Sequence, residues 1–302
     1  MQPNNNSNSF FNKYEFIDNN PIASGGYGQI YKIRDKKVKT EFILKKLTKS
    51  NPNNPKILIN DKYVNGTDKE EFENEKNFLI NVKGTNILNI IDYYDDDKNG
   101  CYYFVFEKME GDLKDLLDTK YIHGMPSKII KKIFGQINSG LEVMVKKGKC
   151  HRDLKPSNIL YSYIDNKKKD FIIKIGDFGQ ATDLANTKKY ATNCGTYIFK
   201  APEVETKKFN NKCDLYSIGI ILYMLKTGEY IFEGNDLREI YRNQDNNNLK
   251  KDTDDQILND LIRRLVVADP DKRISWNEYF NHQFFNDDDD DGQGNIFFIL
   301  IS

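Results

Sequence analysis

Apolar residues cluster in short strand-like runs over the first third of the chain and recur three and four residues apart over the rest. Residues 14–18, 29–34, 41–47, 88–94 and 102–107 form brief runs rich in Ile, Val, Phe and Tyr, which predicts strands. Turn formers at 19–21, 35–37 and 95–100 separate them. One helical pattern interrupts at 69–82, with Phe72, Phe78, Leu79 and Val82 toward one side. Beyond Asp112 helices dominate. Residues 127–147 carry Ile130, Ile133, Phe134, Ile137, Leu141, Met144 and Val145 at helical spacing. Residues 213–225 are apolar nearly all round and predict a buried helix. Residues 257–267 predict another, stopped by Asp269-Pro270. A small β-rich lobe followed by a larger helical lobe implies a cleft between them, where small ligands usually bind.

The flanks differ in texture. Residues 1–13 are rich in Asn and Ser and read as a disordered N-terminus. Residues 286–302 read as an acidic, solvated tail with a short apolar end. The stretch 49–64, rich in Asn, Pro and Lys, reads as a surface loop. Composition narrows the function classes. At 302 residues and 38% apolar, the chain can bury a sizeable core. Its 45 Lys and Arg balance 45 Asp and Glu, which argues against a nucleic-acid partner. Its longest apolar runs, 218–225 and 296–301, fall far short of the roughly 20 residues that cross a bilayer. No basic start followed by an apolar stretch marks a secretory signal. Cys101, Cys150, Cys194 and Cys213 form no CxxC pair, as expected of reduced thiols inside a cell. The expected location is the cytoplasm or the nucleus, with no membrane span.

Three motifs carry chemistry. In Ser24-Gly25-Gly26-Tyr27-Gly28-Gln29-Ile30 the glycines let a hairpin bring backbone N–H groups against phosphates. A bland glycine turn explains this motif equally well on its own. A dinucleotide fingerprint is excluded, because a strand follows where that motif needs a helix. In Phe42-Ile43-Leu44-Lys45 a lysine sits on a strand near that hairpin, and Glu75 lies on the next helix. Taken singly they read as an edge charge and a solvated helix face. The decisive stretch is 150–160, where His151, Arg152, Asp153, Lys155 and Asn158 gather inside an apolar frame. Asp177-Phe178-Gly179 and Ala201-Pro202-Glu203 follow, and this order and spacing match the protein-kinase signature set.

Over residues 14–285 the chain therefore resembles the eukaryotic protein kinases, without assignment to a subfamily. The resemblance implies an α+β, two-lobed fold. Its N-lobe, 14–109, would be small, antiparallel and β-rich with one helix, and its C-lobe, 110–285, larger and mainly helical. It implies ATP and Mg²⁺ as cofactors. Lys45, paired with Glu75, would hold the α/β-phosphates. Asp153 would be the catalytic base and Lys155 would offset charge on the transferring group. Asn158 and Asp177 would ligate magnesium. Ile22, Ala23, Ser24, Gly25, Gly26, Tyr27 and Gly28 would cover the nucleotide, with Ile30, Ile43 and Leu160 enclosing the adenine. Phe106 resembles the gatekeeper. Glu107 and Met109 would offer backbone groups to the adenine, and Asp112 would hold the ribose. Leu79, Ile90, His151 and Phe178 resemble the hydrophobic spine between the lobes. Asp214 would anchor the catalytic loop, and Arg273 would pair with Glu203.

Lys155 after Asp153-Leu154, with Thr196 ahead of Ala201, resembles the serine/threonine type. Protein substrates with Ser or Thr acceptors are the implied partners. Thr196 would bridge Asp153 and Lys155 on the substrate platform. Thr192 resembles the usual activation-loop phosphosite, with Arg152 receiving the phosphate. Its donor would be an upstream kinase or another copy of the same chain. Some positions depart from the family pattern: Ala23 and Ile43 stand where glycine and alanine are usual, and Phe199 where tyrosine is. A catalytically dead scaffold is the competing reading, but such chains typically lack the lysine, the base or a metal ligand. An intact 195–203 segment disfavours a small-molecule kinase.

Overall fold

A computed structural model of the chain describes residues 7–25, 28–51, 56–59, 62–165, 170–183, 197–204, 209–234, 236–246 and 249–286. The N-lobe holds α1 (Ser7–Lys13), β1 (Tyr14–Phe16), β2 (Ala23–Gly25), β3 (Gly28–Asp35) and β4 (Glu41–Thr48). After these come β5 (Lys56–Ile59), β6 (Lys62–Asn65), α2 (Lys69–Asn81), β7 (Ile90–Asp96) and β8 (Cys101–Glu107). The main sheet runs in the order β1-β3-β4-β8-β7, with β2 added on β3, and its pairs are antiparallel.

Strand alternation decides what each sheet face carries. Residues directly opposite on paired strands share a face. Tyr31, Leu44 and Val105 form one such row, buried in a small core on the outer face. Ile30, Lys45 and Phe104 form the next row, on the opposite face. Phe104 and Phe106 belong to the large core shared with the C-lobe. Helix α2 starts at a capping box, in which Asp68 accepts from Glu71 N–H and Glu71 accepts from Asp68 N–H.

Two expectations fail in this lobe. Residues 1–13 were expected to be disordered, yet 7–13 form α1, and the N-lobe has two helices among the described residues. Phe10 is buried and stacks on Tyr94 and Tyr103, at 5.2 and 5.7 Å between ring centroids. Lys13 Nζ and Tyr14 OH both donate to Asp92. The outer sheet face presents aromatic rings that need cover, and two phenylalanines within an Asn/Ser-rich stretch supply it. The 49–64 insert was expected to be a loop, yet β5 and β6 pair as a hairpin with Ile57 opposite Val64 and Leu58 opposite Tyr63. The short apolar runs 57–59 and 63–64 were diluted by the Asn and Pro around them. A bridge between Lys49 and Thr67 closes the neck of the insert.

The C-lobe contains β9 (Gly111–Asp112), α3 (Leu113–Thr119), α4 (Ser127–Lys146), β10 (Lys149–Cys150), β11 (Ile159–Tyr163), β12 (Phe171–Ile175) and β13 (Thr182–Asp183). Helices α5 (Lys212–Thr227), α6 (Leu237–Asp245), α7 (Gln256–Leu265), α8 (Trp276–Phe280) and α9 (Gln283–Asn286) complete it. Every residue of α5 from Cys213 to Leu225 is buried, as its all-round apolar pattern predicts. Gly219 lets α7 approach α5 closely: a Cβ there would lie 2.6 Å from the Val266 side chain. Arg273, fully buried, forms a two-pronged pair with Glu203 at 2.6 and 3.0 Å. It also donates to the Val267 and Lys212 carbonyls. Among the described residues, no helix is long and apolar enough to cross a membrane. Cys101, Cys150 and Cys213 are free and buried, and Cys194 lies outside the described residues.

Candidate active site

The cleft side of β4 supplies Lys45, whose burial alone would push its ammonium toward the neutral form. Two carboxylates prevent this. Lys45 Nζ lies 2.7 Å from Glu75 Oε1 on α2 and 3.3 Å from Asp177 Oδ1. Together they raise the lysine above its usual range, so it stays a cation. Burial pushes the Glu75 carboxyl up and the Lys45 charge opposes it. Burial works on Asp177 as the largest single influence, but Lys45, His151 and Lys155 together outweigh it and hold that carboxyl below the usual range.

Asp177 has a left-handed backbone, φ 57°, unusual for a residue with a side chain. Phe178 holds it there, buried between Phe78 of α2 and His151 with ring centroids 5.0 and 5.1 Å apart. The neighbour expected from α2 was Leu79. It is buried in the same core as Phe178, and Phe78 beside it adds a stacked ring. Ile90 packs partly buried against that core.

The catalytic loop leaves β10 with Arg152 also left-handed, φ 65°. Asp214, buried at the start of α5, fixes it by accepting His151 N–H at 2.7 Å and Arg152 N–H at 2.8 Å, one on each oxygen. His151 Nε2 meets Gly176 O at 2.9 Å, tying this loop to the Asp177 turn. Asp153 sits between two polar neighbours. Lys155 Nζ lies 2.7 Å from its Oδ2, and Asn158 Nδ2 donates to its Oδ2 and its carbonyl at 3.1 and 2.8 Å. The Asn158 amide nitrogen is thus spent on Asp153, which leaves its Oδ1 as the end available for a ligand.

Among the residues expected around the nucleotide, Ile30 and Ile43 share the sheet face of Lys45. Ile30, Ile43 and Leu160 are half-buried, and Phe106, opposite Ile43 in the ladder, is buried. Met109 packs against the main core. Asp112 caps α3 by accepting Asp115 N–H, and burial pushes its carboxyl up. Ile22, Ala23 and Ser24 are exposed on the hairpin leading into β3. Gly28 has φ 108°, and a Cβ there would strike Lys46 O at 2.3 Å, so only glycine fits. Gly26, Tyr27, Thr192 and Thr196 lie outside the described residues. Thr182, a hydroxyl between Asp177 and Ala201, is buried in β13.

Sequence reasoning missed two contacts. Lys174 of β12 is buried and pairs with Glu107, where a lysine inside the apolar run 171–175 was the available signal. Arg152 Nε donates to Gln180 O at 2.7 Å, and its guanidinium lies 5.2 Å from the Phe209 ring centroid. No motif links those residues.

A carboxylate from Asp177 and a carboxamide oxygen from Asn158 fit a small hard cation such as Mg²⁺. Such an ion keeps few protein ligands and takes phosphate and water oxygens for the rest. Among the described residues no group of three or more His, Cys, Asp or Glu forms a stronger metal cage.

Comparison with known proteins agrees with this geometry. The sequence profile of the protein kinase domain matches residues 16–285. "Probable serine/threonine-protein kinase fhkB" of Dictyostelium discoideum is 33% identical over 302 residues, covering 94% of this chain and 24% of that protein. Calcium-dependent protein kinase 4 of Plasmodium falciparum is 30% identical over 289 residues, 92% of this chain and 51% of that protein. Serine/threonine-protein kinase atg1 of D. discoideum is 30% identical over 282 residues, 90% of this chain and 39% of that protein. The chain thus spans from about a quarter to about half the length of these relatives.

Proposed function

Because the chain belongs to the protein kinase family, we propose that it transfers the γ-phosphoryl group of ATP to serine and threonine hydroxyls of protein substrates. One observation carries this reading: Lys45 lies between Glu75 and Asp177, and the Asp153–Lys155–Asn158 group shares the same cleft. Lys45 holds the α/β-phosphates while Glu75 fixes its reach. Asp153 orients the acceptor hydroxyl and takes its proton as the oxygen attacks. Lys155 stabilises charge on the transferring group. Asn158 and Asp177 would hold the magnesium, which when bound neutralises phosphate charge. Catalysis of this kind is mostly positioning and charge stabilisation, which suits preset side chains. Incubation with Mg-ATP and a degenerate Ser/Thr peptide array tests the reading directly. Phosphate on Ser or Thr peptides supports it, and a blank array from folded protein overturns it.

Ile43 sets the width of the nucleotide site in this reading. It shares a sheet face with Lys45, two residues on, and sits opposite Phe106. Ile43→Ala is expected to lower KM for bulky adenine-substituted ATP analogues, relative to ATP, by about tenfold, the scale set by a few methylenes in a pocket. Steady-state kinetics with both nucleotides checks it. Unchanged relative KM values would place the side chain elsewhere.

Activation-loop control is also proposed. A phosphate on Thr192 would add charge-assisted bonds to Arg152, which already reaches Gln180 at the start of that loop. Thr192→Ala is expected to lower peptide phosphorylation by about tenfold, and by little in an Arg152→Ala background. Full activity of Thr192→Ala, with no loop phosphate by mass spectrometry, removes this mode of control.

A further inference from the structure

Lys174 is a buried lysine with no part in the reaction described above. Its ammonium lies 2.7 Å from Glu107 Oε1, and the same oxygen accepts Asn89 N–H at 2.8 Å. Glu107 N–H donates back to Asn89 O at 3.3 Å. One carboxylate therefore joins three segments: the lead into β7, the end of β8, and β12 of the C-lobe. The pair is enclosed, with side-chain exposures of 7% for Lys174 and 26% for Glu107.

Its place in the fold connects it to the nucleotide. In the β12-β11-β9 sheet, Lys174 is directly opposite Leu160, and Leu160 is directly opposite Asp112. Residues in such a row share a face. Lys174 thus stands on the face carrying the residues assigned to the adenine floor and the ribose. Glu107 begins the 107–109 segment, whose backbone groups are assigned to the adenine edge. Enclosed pairs hold their partners more firmly than exposed ones, whose side chains are free to rotate and whose charges are screened.

We propose that Lys174 is a positioning residue for the nucleotide. By fixing the Glu107 side chain against Asn89 and β12, it sets the backbone of 107–109 in the register that the adenine reads. This rests on the ATP site proposed above. A purely structural ion pair would change stability and leave nucleotide affinity alone, so affinity is the discriminating measurement.

The test compares the full chain with Lys174→Met and Lys174→Arg, measuring Mg-ATP affinity by calorimetry, KM for ATP and kcat on a peptide. Lys174→Met is expected to weaken Mg-ATP affinity and raise KM for ATP by about tenfold, the order of one charge-assisted hydrogen bond, with kcat within about threefold. Lys174→Arg keeps the charge and the donors and is expected to restore most of the affinity. Lys174→Gln keeps a donor in the buried site and gives the same comparison if the methionine variant does not fold. Equal Mg-ATP affinity and KM in the folded variant and the parent overturn this inference and leave the proposed function standing. A parent chain that binds no Mg-ATP overturns both.

Discussion

Asp153→Asn is expected to cut phosphoryl transfer by about 10²- to 10⁴-fold, the range carried by a positioned general base. The variant keeps the shape of the site. Its amide oxygen can still accept from Lys155 and Asn158, the two groups that hold the parent carboxylate. What it loses is the negative charge and the capacity to take the hydroxyl proton. Mg-ATP affinity should therefore stay within about twofold, since Asp153 is assigned to the acceptor and not to the nucleotide. Asp177→Ala should also abolish transfer, but with Mg-ATP affinity down by about tenfold or more, because even an outer partner of a metal ligand is worth that much. It also strips Lys45 of one of its two carboxylates. Calorimetry on both variants separates the roles. Equal loss of Mg-ATP binding in the two would contradict the division of labour between them.

Arg273→Ala carries the largest expected effect on stability. Removing one member of a buried pair typically costs about 3–5 kcal/mol, because the partner charge is left behind in a poor solvent. Here the arginine is fully buried, holds both Glu203 oxygens, and lies 5.0 Å over the Tyr216 ring. Its loss also removes the hydrogen bonds it donates to the Val267 and Lys212 carbonyls. Urea unfolding should show a drop of that size, and a smaller one if water enters the space. Lys272→Ala next door provides the control. Its side chain is 79% exposed, and removing such a group should change stability by no more than about 0.5 kcal/mol. Similar losses in both variants would mean that the Arg273–Glu203 pair contributes little to the C-lobe.

In the reading proposed above, Glu203 closes the segment assigned to the substrate platform, so this pair would also link stability to the site. The lesion is expected to act on folding first. At low denaturant, where the variant remains folded, catalysis per folded molecule should fall much less than with Asp153→Asn.

The sequence alone determined the family, the two lobes and the candidates for the reacting groups. Those follow from local signals: residue type at fixed spacing in 150–160 and 177–179, short runs rich in Ile, Val, Phe and Tyr in β3, β4 and β8, three-and-four apolar spacing in α4 and an all-round apolar stretch in α5. Strand and helix periods are dictated by backbone geometry over a few residues, and they survive in the linear text. Even the Arg273–Glu203 and Asp214–loop contacts were legible, because they travel with those motifs. Tertiary structure decided the rest. That Phe10 closes the outer sheet face depends on Tyr94 and Tyr103, far along the chain, presenting bare rings on one side of β7 and β8. That 56–65 pairs as a hairpin depends on two short apolar runs meeting in register, while the composition around them reads as loop. That Phe78 adds a ring stacked on Phe178 is likewise settled by packing, not by any local pattern. Lys174 on Glu107 is the extreme case: 67 residues separate two charges that no motif links. Burial and partnership are properties of the folded whole, because each charge is paired only once distant strands bring its counterpart within reach and exclude water from both.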